Sequence, residues 1–223
     1  TPTVELLRKY ADYFDVSMDY IFARCDEPQG KPREDGTWPG PMDEFPAQRG
    51  RYYSYDDLAA ELVPYAKRMG YTHIEMLPVM EHPFDGSWGY QVTGYFAPTS
   101  RFGEPEGLMR LIDACHEAGL GVILDWVPGG FCADAQGLAM FNGHMLYERE
   151  IHPNWGTHKF DFARGEVRSF LVSNALYWLD RFHADGIRMD GVSSMLYLNF
   201  GIDNPAEKRL NEKGTEEDLD ASA

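Results

Sequence analysis

Residues 185–197 read DGIRMDGVSSMLY, and this stretch decides the fold. An apolar helical run leads into it, GIRMDGV reads as a short buried strand, and an arginine and an aspartate two residues apart stand at that strand's end. Alternate residues of a strand share a face. Arg188 and Asp190 therefore project together, toward a pocket or a barrel interior. A guanidinium beside a carboxylate favours the ionised form, which a nucleophilic or charge-stabilising aspartate requires. On those two residues alone a structural ion pair at a strand end is the favoured reading. A second strand end of the same design lies upstream, at Asp125 in GVILDWV.

Working outward, the pattern around that stretch repeats. SYDDLAAELVPYAKRMG predicts a helix with Ser54 as N-cap, acidic residues in the first turn and Gly70 as its stop. Pro64 inside it predicts a kink or a boundary. THIEMLPV follows as a strand, then PEGLMRLIDACHEAG as a helix and GVILDWV as a strand. GEVRSFLVSNALYWLDRFH is the third helix, with Val167, Phe170, Leu171, Ala175, Trp178, Leu179 and Phe182 on one stripe. Short apolar strands alternating with helices argue a parallel sheet covered by helices, an α/β class. A doubly wound sheet and a barrel both place chemistry at the C-terminal strand ends, where Asp125 and Asp190 fall. No Gly-rich phosphate loop follows any strand, which weakens the nucleotide-binding alternative.

The formal net charge is −16 over 223 residues. Such a surface repels nucleic acid and anionic membrane and suits a neutral or cationic ligand. Three widely spaced cysteines, Cys25, Cys115 and Cys132, form neither a disulfide framework nor a metal pattern, so a reducing cytoplasm is expected. No apolar run reaches the ~20 residues of a membrane span. The histidines His82, His144, His152, His158 and His183 show no metal-like pairing and read as surface or packing residues. Met76, Met80 and Met189 read as core filling. No cofactor is expected.

Residues 1–30 read as a small helical unit and 31–51, rich in Pro, Gly and charge, as a linker. Residues 52–223 form the α/β part. The run TPTVELLRKYADYFDVSMDYIFARCD resembles the last two helices of an XRE-type helix-turn-helix domain. It carries three basic and five acidic residues. Binding DNA needs a basic phosphate-contacting face, so no nucleic-acid partner is expected. The chain opens within a helix cap and closes on EEDLDASA, a helix-like beginning. It reads as a fragment.

THIEMLPVMEHPFDGSWGYQVTGYFAPTSRFG, GVILDWVP and DGIRMDGVSSMLYLNFG together resemble the catalytic domain of bacterial 1,4-α-glucan (glycogen) branching enzymes, in the α-amylase superfamily, over about residues 33–223. The resemblance implies a partial (β/α)8 TIM barrel, with three of the eight strands present and a short helical segment before it. It implies an α-1,4-glucan as donor and acceptor. Residue by residue, Asp190 matches the nucleophile, Arg188 the arginine that keeps it ionised, Asp125 an aspartate at the cleaved sugar, and Tyr90 a tyrosine stacking on that sugar. Gln91 and Trp126 are taken as neighbours of the same site. The chain departs from the family at DWVPGGF, where Gly130 stands in the place of a histidine. Such a lost transition-state contact costs on the order of 2–4 kcal/mol. The strands bearing the general acid/base and the distal His-Asp pair are not in this sequence, so the chain alone is expected to be inactive. Two competing readings are a DNA-binding regulator with a sugar-binding α/β module, and a chimeric reading frame with no function.

Overall fold

In a computed structural model, which describes residues 52–133, 140 and 143–222, the helix–strand alternation is present three times. The segment expected to resemble a helix-turn-helix domain and the linker lie outside the described residues. Helix α1 (Tyr55–Met69) begins at a capping box: the Ser54 hydroxyl accepts from the Asp57 amide, and Asp57 reaches back to the Ser54 amide. Gly70 closes it in the left-handed conformation. Pro64 marks neither end; the helix runs through it, giving up one backbone bond that a proline cannot donate. Strand β1 (His73–Met76) follows, then helix α2 (Pro105–Glu117) and strand β4 (Gly121–Trp126). Helix α3 (Gly165–Phe182) leads to strand β7 (Gly186–Met189).

The three strands pair in parallel in the order β1–β4–β7, with β4 central. The register sets Asp125 beside Arg188. Among the described residues the two outer strands are paired on one side only, so both present open hydrogen-bonding edges.

Two antiparallel hairpins that the helix–strand alternation did not predict sit in the connections leaving β1 and β4. The first pairs β2 (Met80–Glu81) with β3 (Gly94–Pro98), and the second pairs β5 (Glu148–Ile151) with β6 (His158–Phe160). Tyr95 of β3 ties them to the sheet. It is 2% exposed, makes edge contacts with Phe131, Phe160 and Phe170, and donates its hydroxyl to the carbonyls of Val127 (2.9 Å) and Gly130 (3.0 Å). Burying an aromatic cluster of this kind stabilises by area and by edge-to-face geometry, about 0.5–1.5 kcal/mol per pair beyond burial.

The predicted stripe of α3 is buried at Val167, Leu171, Trp178 and Phe182, and Asn174 lies among them, fully enclosed. Its amide nitrogen donates to the Tyr95 carbonyl at 2.6 Å, and its amide oxygen accepts from the Trp126 indole at 2.7 Å. A buried polar group is tolerated when so satisfied. Two expectations need correction. Met189 is 45% exposed rather than core, because alternation turns it from the face that Arg188 occupies. The expected helical start near 216–223 is instead a turn over residues 219–221, next to a bridge between Tyr197 and Glu217. There the Asp218 side chain accepts from the Asp220 and Ala221 amides.

Candidate active site

The ends of β4 and β7 bring together four of the six predicted site residues: Asp125, Arg188, Asp190 and Tyr90. One nitrogen of Arg188, Nη1, donates to both oxygens of Asp125 at 2.9 Å and to Oδ1 of Asp190 at 2.7 Å. Strand register makes this possible: Asp125 and Arg188 are direct neighbours, and Asp190 lies two residues beyond on the same side. Asp190 itself follows the last residue of β7, its amide donating to the Trp126 carbonyl at 2.8 Å. Opposite, the Tyr90 hydroxyl donates to Asp125 Oδ2 at 2.5 Å. Tyr90 reaches this position because Gly89, at φ 90°, passes so close to Pro78 that a Cβ would lie 2.3 Å from its carbonyl oxygen. Only a glycine fits that approach.

Exposure divides the labour. Asp125 is 3% exposed and both its oxygens are engaged. The side chain of Asp190 retains 12% exposure, which makes it the more open of the two carboxylates, and that of Arg188 retains 35%. Burial raises the Asp125 carboxyl above its ordinary range, outweighing the hydrogen bonds from Tyr90 and Arg188 that pull it down. Burial alone would lower the Arg188 pKa; its bonds to the two carboxylates raise it instead, so it stays charged. The Tyr90 phenol is raised by burial and by donating to Asp125, so it remains a donor.

The remaining expectations fare differently. Gln91 stands outside this network: its side-chain oxygen accepts from the Cys132 thiol at 3.6 Å. Trp126 also points elsewhere, its indole buried against α3 at Asn174, as strand alternation dictates for the residue after Asp125. Gly130 lies hard against β6. A Cβ built there would stand 1.6 Å from the His158 carbonyl oxygen and 2.4 Å from its carbon. The local backbone therefore has no room for the side chain that the family resemblance places here.

A second group of charged side chains sits beyond this loop, on the β5–β6 hairpin. Glu148 is fully buried, and neither carboxylate oxygen has a hydrogen-bond partner. Burial raises its pKa, opposed by the nearby His158 ring and by the amides of Phe131, Tyr147 and Glu148, which lie close to the carboxylate without meeting hydrogen-bond geometry. His152, 2% exposed, is pushed down to about 4 by burial and then by the charge of Lys159. The sequence reading of these histidines as packing residues gave no sign of this buried charge. EREI and HKF carry no hydrophobic alternation to announce a hairpin.

The α-amylase catalytic-domain family matches residues 59–149. A 1,4-alpha-glucan branching enzyme GlgB from Desulfitobacterium hafniense (strain Y51) is 62% identical over 172 residues, covering 77% of this chain and 27% of the relative. One from Oceanobacillus iheyensis is 53% identical over 193 residues, covering 84% and 29%. The chain thus spans about a quarter of the length of the curated relatives it matches. Among solved structures, a putative alpha amylase from Salmonella typhimurium matches at a TM-score of 0.56 and 29% identity, over 63% of this chain and 24% of that one. Sequence and fold agree: the parallel three-stranded part is similar to solved α-amylase structures, and the chain is similar along most of its length to branching enzymes.

Proposed function

We propose that the Arg188-forked carboxylates are the nucleophile half of a retaining transglycosylation site that cleaves α-1,4-glucan and transfers it to a 6-hydroxyl. The observation that carries this reading is one guanidinium nitrogen bonded to both Asp125 and Asp190 at the ends of adjacent parallel strands. An oxocarbenium-like transition state needs negative charge fixed beside the anomeric carbon. Asp190, the more open of the two, is the group placed to attack that carbon and release the leaving oxygen. Tyr90 and Asp125 position the sugar, the phenol ring offering an apolar surface to a pyranose face. A glucan 6-hydroxyl then displaces the carboxylate, giving a 1,6 linkage with two inversions and net retention.

The leaving oxygen must be protonated. Asp125 is not placed to do this, being enclosed with both oxygens engaged by Tyr90 and Arg188. The reading therefore requires a second carboxyl about 5–5.5 Å from Asp190. A site without such a partner binds glucan and does not branch it. Among the described residues no helix is long and apolar enough to cross a membrane. We place the protein in the cytoplasm on its cysteine usage, since Cys25, Cys115 and Cys132 are odd in number and widely spaced.

The test is isothermal titration of maltoheptaose into the chain, beside iodine-stained amylose. The reading expects measurable binding that weakens at least tenfold in Tyr90→Ala and Asp125→Asn, with no change in iodine absorbance. A chain that binds no maltoheptaose overturns the glucan site. Transfer by the isolated chain overturns the requirement for a second carboxyl.

A further inference from the structure

Beside the carboxylates stands an indole that no part of the mechanism uses. Trp155, in the turn between β5 and β6, is 41% exposed although one face lies flat on His152, ring centroids 3.9 Å apart and planes 5° from parallel. Its six-membered ring touches Gly191, the residue after Asp190: a Cβ built on that glycine would lie 3.3 Å from Trp155 Cη2 and 3.4 Å from Cζ3. Phe200 packs against it at 5.9 Å and against His152 at 6.0 Å.

The platform is held rigidly. His152 Nδ1 accepts from the amides of Asn154 (3.2 Å) and Trp155 (3.3 Å), and the His152 amide donates to the Thr157 carbonyl at 2.7 Å. The turn is thereby wound around the imidazole on which the indole rests. Burial keeps that imidazole neutral at physiological pH, so it supports the indole as a flat surface without charge. A large aromatic side chain left two-fifths open costs hydrophobic free energy. Fixing it against the residue that follows Asp190 suits a ligand that has both an apolar face and hydroxyls.

We propose that Trp155 is a sugar-stacking platform for a glucosyl unit of the α-1,4-glucan adjoining the bond cut at Asp190. This rests on the glucan reading of the Asp190 site. Its contact with Gly191 sets the stacked ring at the nucleophile's edge, which favours productive seating of the chain over sliding. His152 is a positioning residue, acting through the indole.

The experiment titrates maltoheptaose into the full chain and into Trp155→Ala, Trp155→Phe and Tyr90→Ala. A second measurement follows the Trp155 indole N–H resonance during the titration, assigned by its loss in Trp155→Phe. Expected are at least fivefold weaker binding for Trp155→Ala, binding within twofold for Trp155→Phe, and a saturable shift of the indole resonance. Wild-type binding that weakens in Tyr90→Ala but not in Trp155→Ala, with an unmoved indole resonance, overturns the platform and leaves the glucan site standing. Absence of wild-type binding overturns both. Should Trp155→Ala fail to fold, the resonance alone decides.

Discussion

The ends of β4 and β7 and the β5–β6 hairpin both bury carboxylates, in opposite ways. At the strand ends, Asp125 and Asp190 share Arg188, and every oxygen of Asp125 has a donor. On the hairpin, Glu148 is more deeply enclosed and its oxygens have none. A buried charge that is paired and hydrogen-bonded is tolerated, whereas one without partners costs stability. The first arrangement places charge where a reaction can draw on it; the second stores an unfavourable term inside the fold. Gly130 lies where the two regions meet.

The sharpest way to break that comparison is at the junction. Gly130→Ala sets a Cβ 1.6 Å from the His158 carbonyl oxygen, whereas a Cβ on neighbouring Gly129 meets nothing within 4 Å. Forcing β6 away is expected to cost about 3–5 kcal/mol, against less than about 0.5 for Gly129→Ala. Urea denaturation of both variants checks this, and equal midpoints would show that β6 is not seated against the loop. By the same geometry Gly130→His does not restore a family contact but displaces β6.

Arg188→Leu attacks the compensated region directly. It leaves two carboxylates, one of them 3% exposed, without their shared cation. Since Arg188 is itself a third exposed, solvent offsets part of the loss, and about 2–4 kcal/mol is expected. Maltoheptaose binding should fall with it. A variant as stable as wild type would mean that the pair is held by strand geometry and not by the guanidinium.

Between the two regions, Asn174→Ala removes the acceptor of the Trp126 indole and a donor to Tyr95. Leaving an enclosed indole N–H unsatisfied costs about 2–3 kcal/mol. Thermal denaturation would show it, and a loss under about 0.5 kcal/mol would mean that water replaces the amide.

These residues also mark how far the sequence could be read. The strand ends were legible because period-two alternation puts Arg188 and Asp190 on one face whatever the tertiary context. The same rule turns Trp126 away from Asp125, and it was family resemblance rather than alternation that set Trp126 near the site. Tyr90 owes its place to a long-range crossing of Gly89 over Pro78, which no local pattern encodes. Asn174 was hidden as a polar residue inside an apolar stripe, since its partners lie 48 and 79 residues away. The hairpins were not visible at all. Their pairing depends on contacts with Phe131 and Tyr95 and not on their own hydrophobic pattern.

The smallest effect is the one that tests the unfavourable half of the comparison, because its sign runs the other way. Burial raises the Glu148 carboxyl above its ordinary value of 4.5, so the folded state holds that proton more tightly than the unfolded chain does. The ionised folded form is therefore penalised. The penalty is absent below the ordinary value, grows as pH rises through the folded value, and is constant above it. Glu148→Gln keeps an acceptor oxygen for the surrounding amides and removes the charge, so at pH 8 it is expected to stabilise by about 1 kcal/mol. Denaturant midpoints of wild type and variant should converge as the pH is lowered toward 4.5. If the variant is instead less stable at pH 8, the ionised Glu148 is compensated by its surroundings, and the hairpin buries its carboxylate on the same terms as the strand ends.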